Sequence, residues 1–84
     1  MAIFDYKISM RLLDAPQGKW LKLAALEGGS GLRARLLQHG LYAGDRLRVV
    51  RTAPLKGPLL VEANGREIAL GRGVAEKIIV ELDA

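Results

Sequence analysis

His39 carries the one imidazole in this chain of 84 residues, and there is no cysteine to join it. A metal centre without thiolates wants histidine with clustered carboxylates and open coordination positions. The companions on offer, such as Glu27 and Glu76, are scattered along the sequence. His39 therefore stands as a weak metal-ligand candidate, against the reading of a solvated residue near a helix C-terminus, where a cation meets the helix dipole favourably. The lack of thiols excludes a disulfide framework, thiolate metal sites, iron–sulfur clusters and a cysteine nucleophile. No base, nucleophile and stabilising group fall together in the sequence. Gly28-Gly29-Ser30-Gly31 precedes a helix and would offer N–H groups to an anion. No lysine follows at P-loop spacing, so these glycines are read as a sharp strand-to-helix turn. Neither catalysis nor a cofactor is expected.

The cations carry more information. Net charge is +4, with the excess in the middle of the chain: residues 31–72 hold eight basic and three acidic side chains. Arg33, Arg35, Arg46, Arg48 and Lys56 form either a docking face for an acidic partner, which would speed association by electrostatic steering, or a solvated surface paired locally with Glu62 and Glu67. Nucleic acid is disfavoured, because such binding needs a denser patch with stacking aromatics, and the middle holds only Tyr42. Tyr42, next to Leu41, is either an exposed interface anchor or a cover for one end of the fold. Trp20 is read as a lid over a barrel end, since a polyproline groove needs several converging aromatics.

These residues need a scaffold, and composition limits which one. Half the residues are apolar and 26% are charged, as in an ordinary globular protein. Eighty-four residues make one domain that hides ~60–65% of its unfolded surface. Ten glycines and four aromatics point to a turn-rich fold with an aliphatic core. No apolar run reaches the ~20 residues of a membrane span, and the N-terminus lacks a clean signal segment. Cytoplasmic localisation without direct membrane insertion is expected.

Residues 1–8 are read as an N-terminal extension, a strand that docks on the body or on a second copy and so offers a route to a homo-oligomer. Residues 9–84 form the domain. Ser9 to Asp14 reads as a brief helical turn or irregular lead-in, and Pro16-Gln17-Gly18 as a turn. Lys19 to Glu27 is a strand with Leu21, Leu23 and Ala25 on one face. Ser30 to His39 is the one helix, with Ser30 as its cap and Leu32, Leu36 and Leu37 as its apolar stripe. Gly40 and Leu41 close it as a Schellman motif. After the turn Tyr42 to Asp45, Arg46 to Thr52 is a strand with Leu47 and Val49 inward. Ala53 to Pro58 is a loop. Leu59 to Ala63 and Arg66 to Leu70 form a hairpin about Asn64-Gly65, a type I′ turn that places Val61 opposite Ile68 and Glu62 opposite Glu67. Arg46 and Arg48 are natural neutralisers of that like-charge pair. Gly71 to Ala75 is a single tight turn of 3₁₀ type, and Lys77 to Leu82 the last strand, with Ile78, Val80 and Leu82 inward. The result is a mainly β fold: a closed or nearly closed barrel of about five strands with one short α-helix at about residues 30–39.

The succession Glu27-Gly28-Gly29, Arg35-Leu36-Leu37-Gln38-His39-Gly40-Leu41, Gly44-Asp45, Ala53-Pro54-Leu55, Gly57-Pro58-Leu59, Ile68-Ala69-Leu70-Gly71-Arg72 and Ala75-Glu76-Lys77-Ile78-Ile79-Val80 resembles the FeoA family of ferrous iron uptake. It is also similar to the C-terminal SH3-like module of iron-dependent repressors. The likeness covers about residues 10–82. Ala43 stands where the family often has proline, and Lys56-Gly57 where it often has glycine–aspartate. The resemblance implies an SH3-like barrel that assists a FeoB-type membrane transporter at its cytosolic GTP-binding domain. It also implies a family-level link with transition metals, for which this sequence supplies no site. The residues expected to meet that partner are Arg33, Arg35, Leu41, Tyr42, Arg46, Arg48 and Lys56.

Overall fold

The structure is a computed structural model that describes residues 9–83. The elements run β1 (Ser9–Arg11), a 3₁₀ turn (Leu12–Asp14), β2 (Leu21–Leu26), α1 (Ser30–Gln38), β3 (Arg46–Thr52), β4 (Leu59–Ala63), β5 (Arg66–Leu70), α2 (Arg72–Ala75) and β6 (Ile78–Leu82). The strands form one antiparallel sheet in the order β1-β6-β2-β3-β4-β5. Leu21 and Leu23, Leu47 and Val49, Leu59 and Val61, Ile68 and Leu70, and Ile78 and Val80 all enter a single buried cluster. Period-2 alternation places each pair on the same side of its strand, so the sheet curls around one aliphatic core. Ala63 of β4, Leu12 and Ala75 from the two short helical turns, and Leu36 and Leu41 complete that core.

The β4–β5 hairpin has the register set by its two-residue turn: Leu59 opposite Leu70, Val61 opposite Ile68, Glu62 opposite Glu67, Ala63 opposite Arg66. Asn64 and Gly65 both have positive φ, at 53° and 76°, as a type I′ turn requires.

Five sequence-based expectations need correction. The sheet has six strands, the extra one being β1, which pairs with β6 through Ser9 and Glu81, Met10 and Val80, and Arg11 and Ile79. Three residues are too few to show an alternating pattern. Ala25 is exposed, because a register shift between Leu23 and Ala25 breaks the alternation of β2; this is what an extra residue does in one strand of a pair. Leu82, at the end of β6, is 42% exposed. Ser30 is the first helical residue and not the cap. Gly29 takes the cap position in an extended conformation, and its carbonyl accepts from the Leu32 N–H at 3.1 Å. Residues 72–75 make one turn of α-helix, closed by the Ala75 N–H donating to the Gly71 carbonyl at 2.9 Å. The expected strand within residues 1–8 lies outside the described residues.

Among the described residues no helix is long and apolar enough to cross a membrane.

A candidate protein-docking groove

The helix α1 buries one residue fully. Leu36 is 1% exposed, whereas Leu37, one position on, is 44% exposed. The chain then reverses sharply. Gly40 has φ +76°, its N–H donates to the Leu37 carbonyl, and the Leu41 N–H donates to the Leu36 carbonyl at 2.9 Å. These are the two bonds of a Schellman stop, and the apolar residue after the glycine packs back on the helix. Leu41 accordingly is 2% exposed. Its side chain lies in the core, so of the expected contact residues it is the one covered almost wholly within its own chain, and it holds its neighbour in place.

That neighbour is Tyr42, which is 55% exposed. The turn that carries it is tied on three sides. The Tyr42 N–H donates to Asp45 Oδ2 at 2.9 Å, and the Asp45 N–H returns a bond to the Tyr42 carbonyl. The Asn64 amide donates to the Gly40 carbonyl at 3.2 Å and to Asp45 Oδ2 at 3.3 Å. Behind it, the Gly44 N–H donates to the Leu23 carbonyl and the Leu23 N–H to the Asp45 carbonyl. Arg66 from β5 also donates to the His39 carbonyl at 2.6 Å. A large aromatic side chain on so constrained a turn loses little freedom on binding.

Across from Tyr42 and Leu37 stands the outward-turned stretch of β2. A groove of about 350 Å³ lies between them, lined by Ala24, Ala25, Leu26, Arg33, Leu37, Leu41, Tyr42 and Ala43. Arg33 is its one charged liner. The chemistry available here is recognition: an apolar trough with one cation, suited to an apolar side chain or helix face that carries acidic neighbours. A wider depression of about 620 Å³ lies between α1 and α2, with Arg35, Lys77 and Glu76 among its liners. It has mixed charge and lacks the exposed large apolar side chains that mark the groove.

The basic residues are not gathered into one face. Arg33 is in the groove and Arg35 in the α1–α2 depression. Arg46 is ion-paired with Asp83, and Arg48 with Glu62 at 2.6 Å. Both guanidinium carbons sit 4.9 Å from the centre of the Trp20 ring. Trp20 is thus a half-buried plate shared by two arginines on the outer sheet face, not a lid over a barrel end. Lys56 is exposed on the β3–β4 loop. Arg33 and Tyr42 stand out in the sequence but Ala24 and Ala25 do not: Ala24 faces outward by ordinary alternation with nothing in its residue type to single it out, and the register shift that turns Ala25 outward leaves no mark in the apolar pattern.

His39 is the C-terminal cap of α1, and its carbonyl is held by Arg66. Glu27 and the Glu76 backbone carbonyl are instead gathered by the Arg11 guanidinium. Among the described residues no three His, Cys, Asp or Glu side chains come together as a metal site.

A curled six-stranded antiparallel sheet, one nine-residue helix and a surface groove define a small SH3-like barrel. The chain belongs to the FeoA family: the FeoA domain matches residues 10–82, and it is a domain linked to Fe(2+) transport. A relative from Methanocaldococcus jannaschii, provisionally named Fe(2+) transport protein A, is 36% identical over 70 residues, covering 83% of each chain. A Porphyromonas gingivalis protein, named as a fusion of Fe(2+) transport protein A with the Fe(2+) transporter FeoB, is 34% identical over 73 residues, covering 87% of this chain and 9% of that protein. The solution structure of FeoA protein from Chlorobium tepidum superposes with a TM-score of 0.80 at 33% identity, over 89% of this chain and 71% of that one. The crystal structure of ScaR with bound Zn2+ superposes with a TM-score of 0.81 at 26% identity, over 88% of this chain and 37% of that one. The likeness to a metal regulator expected from the sequence therefore holds at the level of this one domain.

Proposed function

We propose that this protein is a non-catalytic accessory module of ferrous iron uptake. It works in the cytoplasm, where it docks on the GTP-binding region of a FeoB-type membrane transporter through α1, the Leu41–Asp45 turn and the groove between them and β2. The observation that carries this reading is the fusion in Porphyromonas gingivalis, whose name joins transport protein A and FeoB in one polypeptide. Covalent linkage raises the effective concentration of one partner at the other and is useful where the two act together. The groove supports the reading with the features of an interface core: an exposed tyrosine on a fixed turn, an exposed leucine beside it, and a single arginine. The outer β3 face contributes less, because Arg46 and Arg48 already have carboxylate partners.

The mechanism is a population shift. A module that binds one conformation of the GTP-binding region more tightly than another raises the share of that conformation by the ratio of the two affinities. It needs no chemistry of its own.

Titration calorimetry of the whole protein against the soluble cytosolic domain of the transporter tests this. Saturable binding that Tyr42→Ala weakens supports it. No binding at about 100 µM of each component, an energy of some −5 kcal/mol, rejects it.

A further inference from the structure

Leu55 is 97% exposed, far beyond any other large apolar side chain among the described residues. It occupies the tip of the β3–β4 loop, where the Gly57 N–H donates to the Pro54 carbonyl at 3.1 Å and the Ala53 N–H to the Pro58 carbonyl at 3.0 Å. Leu55 and Lys56 are the central residues of that turn, and both have positive φ, at 58° and 59°. Asparagine, aspartate and glycine take such positions readily, whereas a leucine there is strained. The same chain fills the equivalent positions of its other tight turn with Asn64 and Gly65, at 53° and 76°. The loop is also tightly closed: a Cβ on Gly57 would come 2.7 Å from the Ala53 Cβ. A rigid turn thus carries a large apolar residue where its backbone favours a small polar one, and that residue buries almost nothing within its own chain. Strain held without an internal return marks functional positions.

We infer that Leu55 is an anchor side chain, presented by the β3–β4 turn to an apolar socket rimmed by carboxylates on a partner protein. The inference rests on the reading above in taking that partner to be the cytosolic region of the transporter. It adds a second contact, separated from Tyr42 by the length of β3, roughly 20 Å for seven residues. The rim is acidic because residues 51–58 contain Arg51 and Lys56 and no acidic residue. The same charges argue against a second copy of this chain, since its apolar groove would bring Arg33 against Lys56. A lipid surface is disfavoured because one leucine supplies far less burial than a single acyl chain, which itself anchors only marginally.

The experiment uses Leu55→Asn and Leu55→Met in the whole protein, with the transporter's soluble cytosolic domain as probe. Asparagine suits positive φ, so Leu55→Asn keeps or raises the melting temperature while binding weakens roughly ten- to hundredfold, the worth of burying one leucine. Leu55→Met stays within about threefold of wild type. Wild-type binding that Leu55→Asn leaves intact overturns the anchor and spares the functional reading. A melting temperature lowered by Leu55→Asn also overturns it, because Leu55 would then be structural. If the wild-type protein does not bind the domain, the functional reading fails. The anchor is then decided by ferrous iron uptake in cells lacking the native gene. Restoration of uptake by Leu55→Asn overturns it, and failure at wild-type protein level, with Leu55→Met active, supports it. Self-association, or binding to vesicles of phosphatidylglycerol and phosphatidylethanolamine, that Leu55→Asn abolishes gives Leu55 a different occupant and overturns the assignment to a partner protein.

Discussion

Arg48 on β3 stands opposite Glu62 on β4, with its guanidinium 2.6 Å from that carboxylate. Glu62 in turn faces Glu67 across the hairpin, a like-charge juxtaposition that opposes pairing of the two strands. Arg48 offsets it and also lies over Trp20. Both side chains of the ion pair are more than 30% exposed, so solvent screens the attraction strongly. Arg48→Ala is expected to cost about 0.5–1 kcal/mol, a drop of about 2–8 °C in melting temperature for a domain of this size. The difference between variant and wild type narrows in 1 M salt. Urea denaturation at two ionic strengths checks this, with Trp20 fluorescence as the signal. A double-mutant cycle with Glu62→Ala separates the pair energy from the stacking on Trp20.

Adjacent leucines of α1 have opposite fates, which predicts opposite outcomes. Leu36 is buried in the core, and Leu37 is 44% exposed on the groove wall. Leu36→Ala leaves a cavity and is expected to cost about 2–5 kcal/mol, a large share of the roughly 4–13 kcal/mol that holds a chain of this length folded. Leu37→Ala is expected to change stability by less than about 1 kcal/mol. Chemical denaturation of both variants, followed by circular dichroism, measures the contrast. Equal costs would mean that α1 packs through a different face.

Gly40 is the point where α1 must stop. Its φ of +76° allows both closing hydrogen bonds, and a Cβ there would also meet the Arg66 guanidinium. The arginine end is flexible and can move aside, so the backbone carries most of the cost. Gly40→Ala is expected to destabilise by about 1 kcal/mol, and Gly40→Asn by less, because asparagine tolerates the left-handed region. Thermal melts of the two variants rank them. Hydrogen exchange at the Leu41 amide, which donates to Leu36, reports whether the stop has loosened.

What the sequence shows of this molecule follows from how local its signals are. The hairpin register is legible because Asn64-Gly65 admits one turn type and a two-residue loop leaves no freedom of alignment. Gly40-Leu41 marks the helix end for the same reason. Ala25 deceives because alternation holds only while a strand keeps its phase, and the register shift in β2 has no compositional signature; Leu82 keeps its phase but is the last residue of β6. Ser9 to Arg11 look irregular because β1 is formed by its partner β6 and not by any pattern of its own. The candidate site divides along the same line. Tyr42 and Arg33 stand out by residue type, whereas the groove they share with Ala24 and Ala25 exists only once β2 is bent. Leu55 had one visible mark: an apolar residue between Pro54 and Lys56, in a loop of otherwise turn-forming or polar composition.

The groove predicts a separation between the two side chains that differ most in chemistry. Tyr42 is a fixed, exposed aromatic, and Arg33 is the groove's one charge. An aromatic anchor acts after contact, through burial, so Tyr42→Ala is expected to raise the dissociation rate from the transporter's cytosolic domain and weaken affinity roughly tenfold or more. An exposed cation acts mainly before contact, by steering an acidic partner, so Arg33→Gln is expected to lower the association rate by a few-fold at low salt and to have little effect near 0.5 M salt. Neither side chain is buried or ion-paired among the described residues. Both variants should therefore melt within a few degrees of wild type. Stopped-flow or surface-binding kinetics at two salt concentrations separates the rates. A Tyr42→Ala variant that changes only association would show that the aromatic ring stays in solvent throughout the complex, and the groove would then not be the interface core.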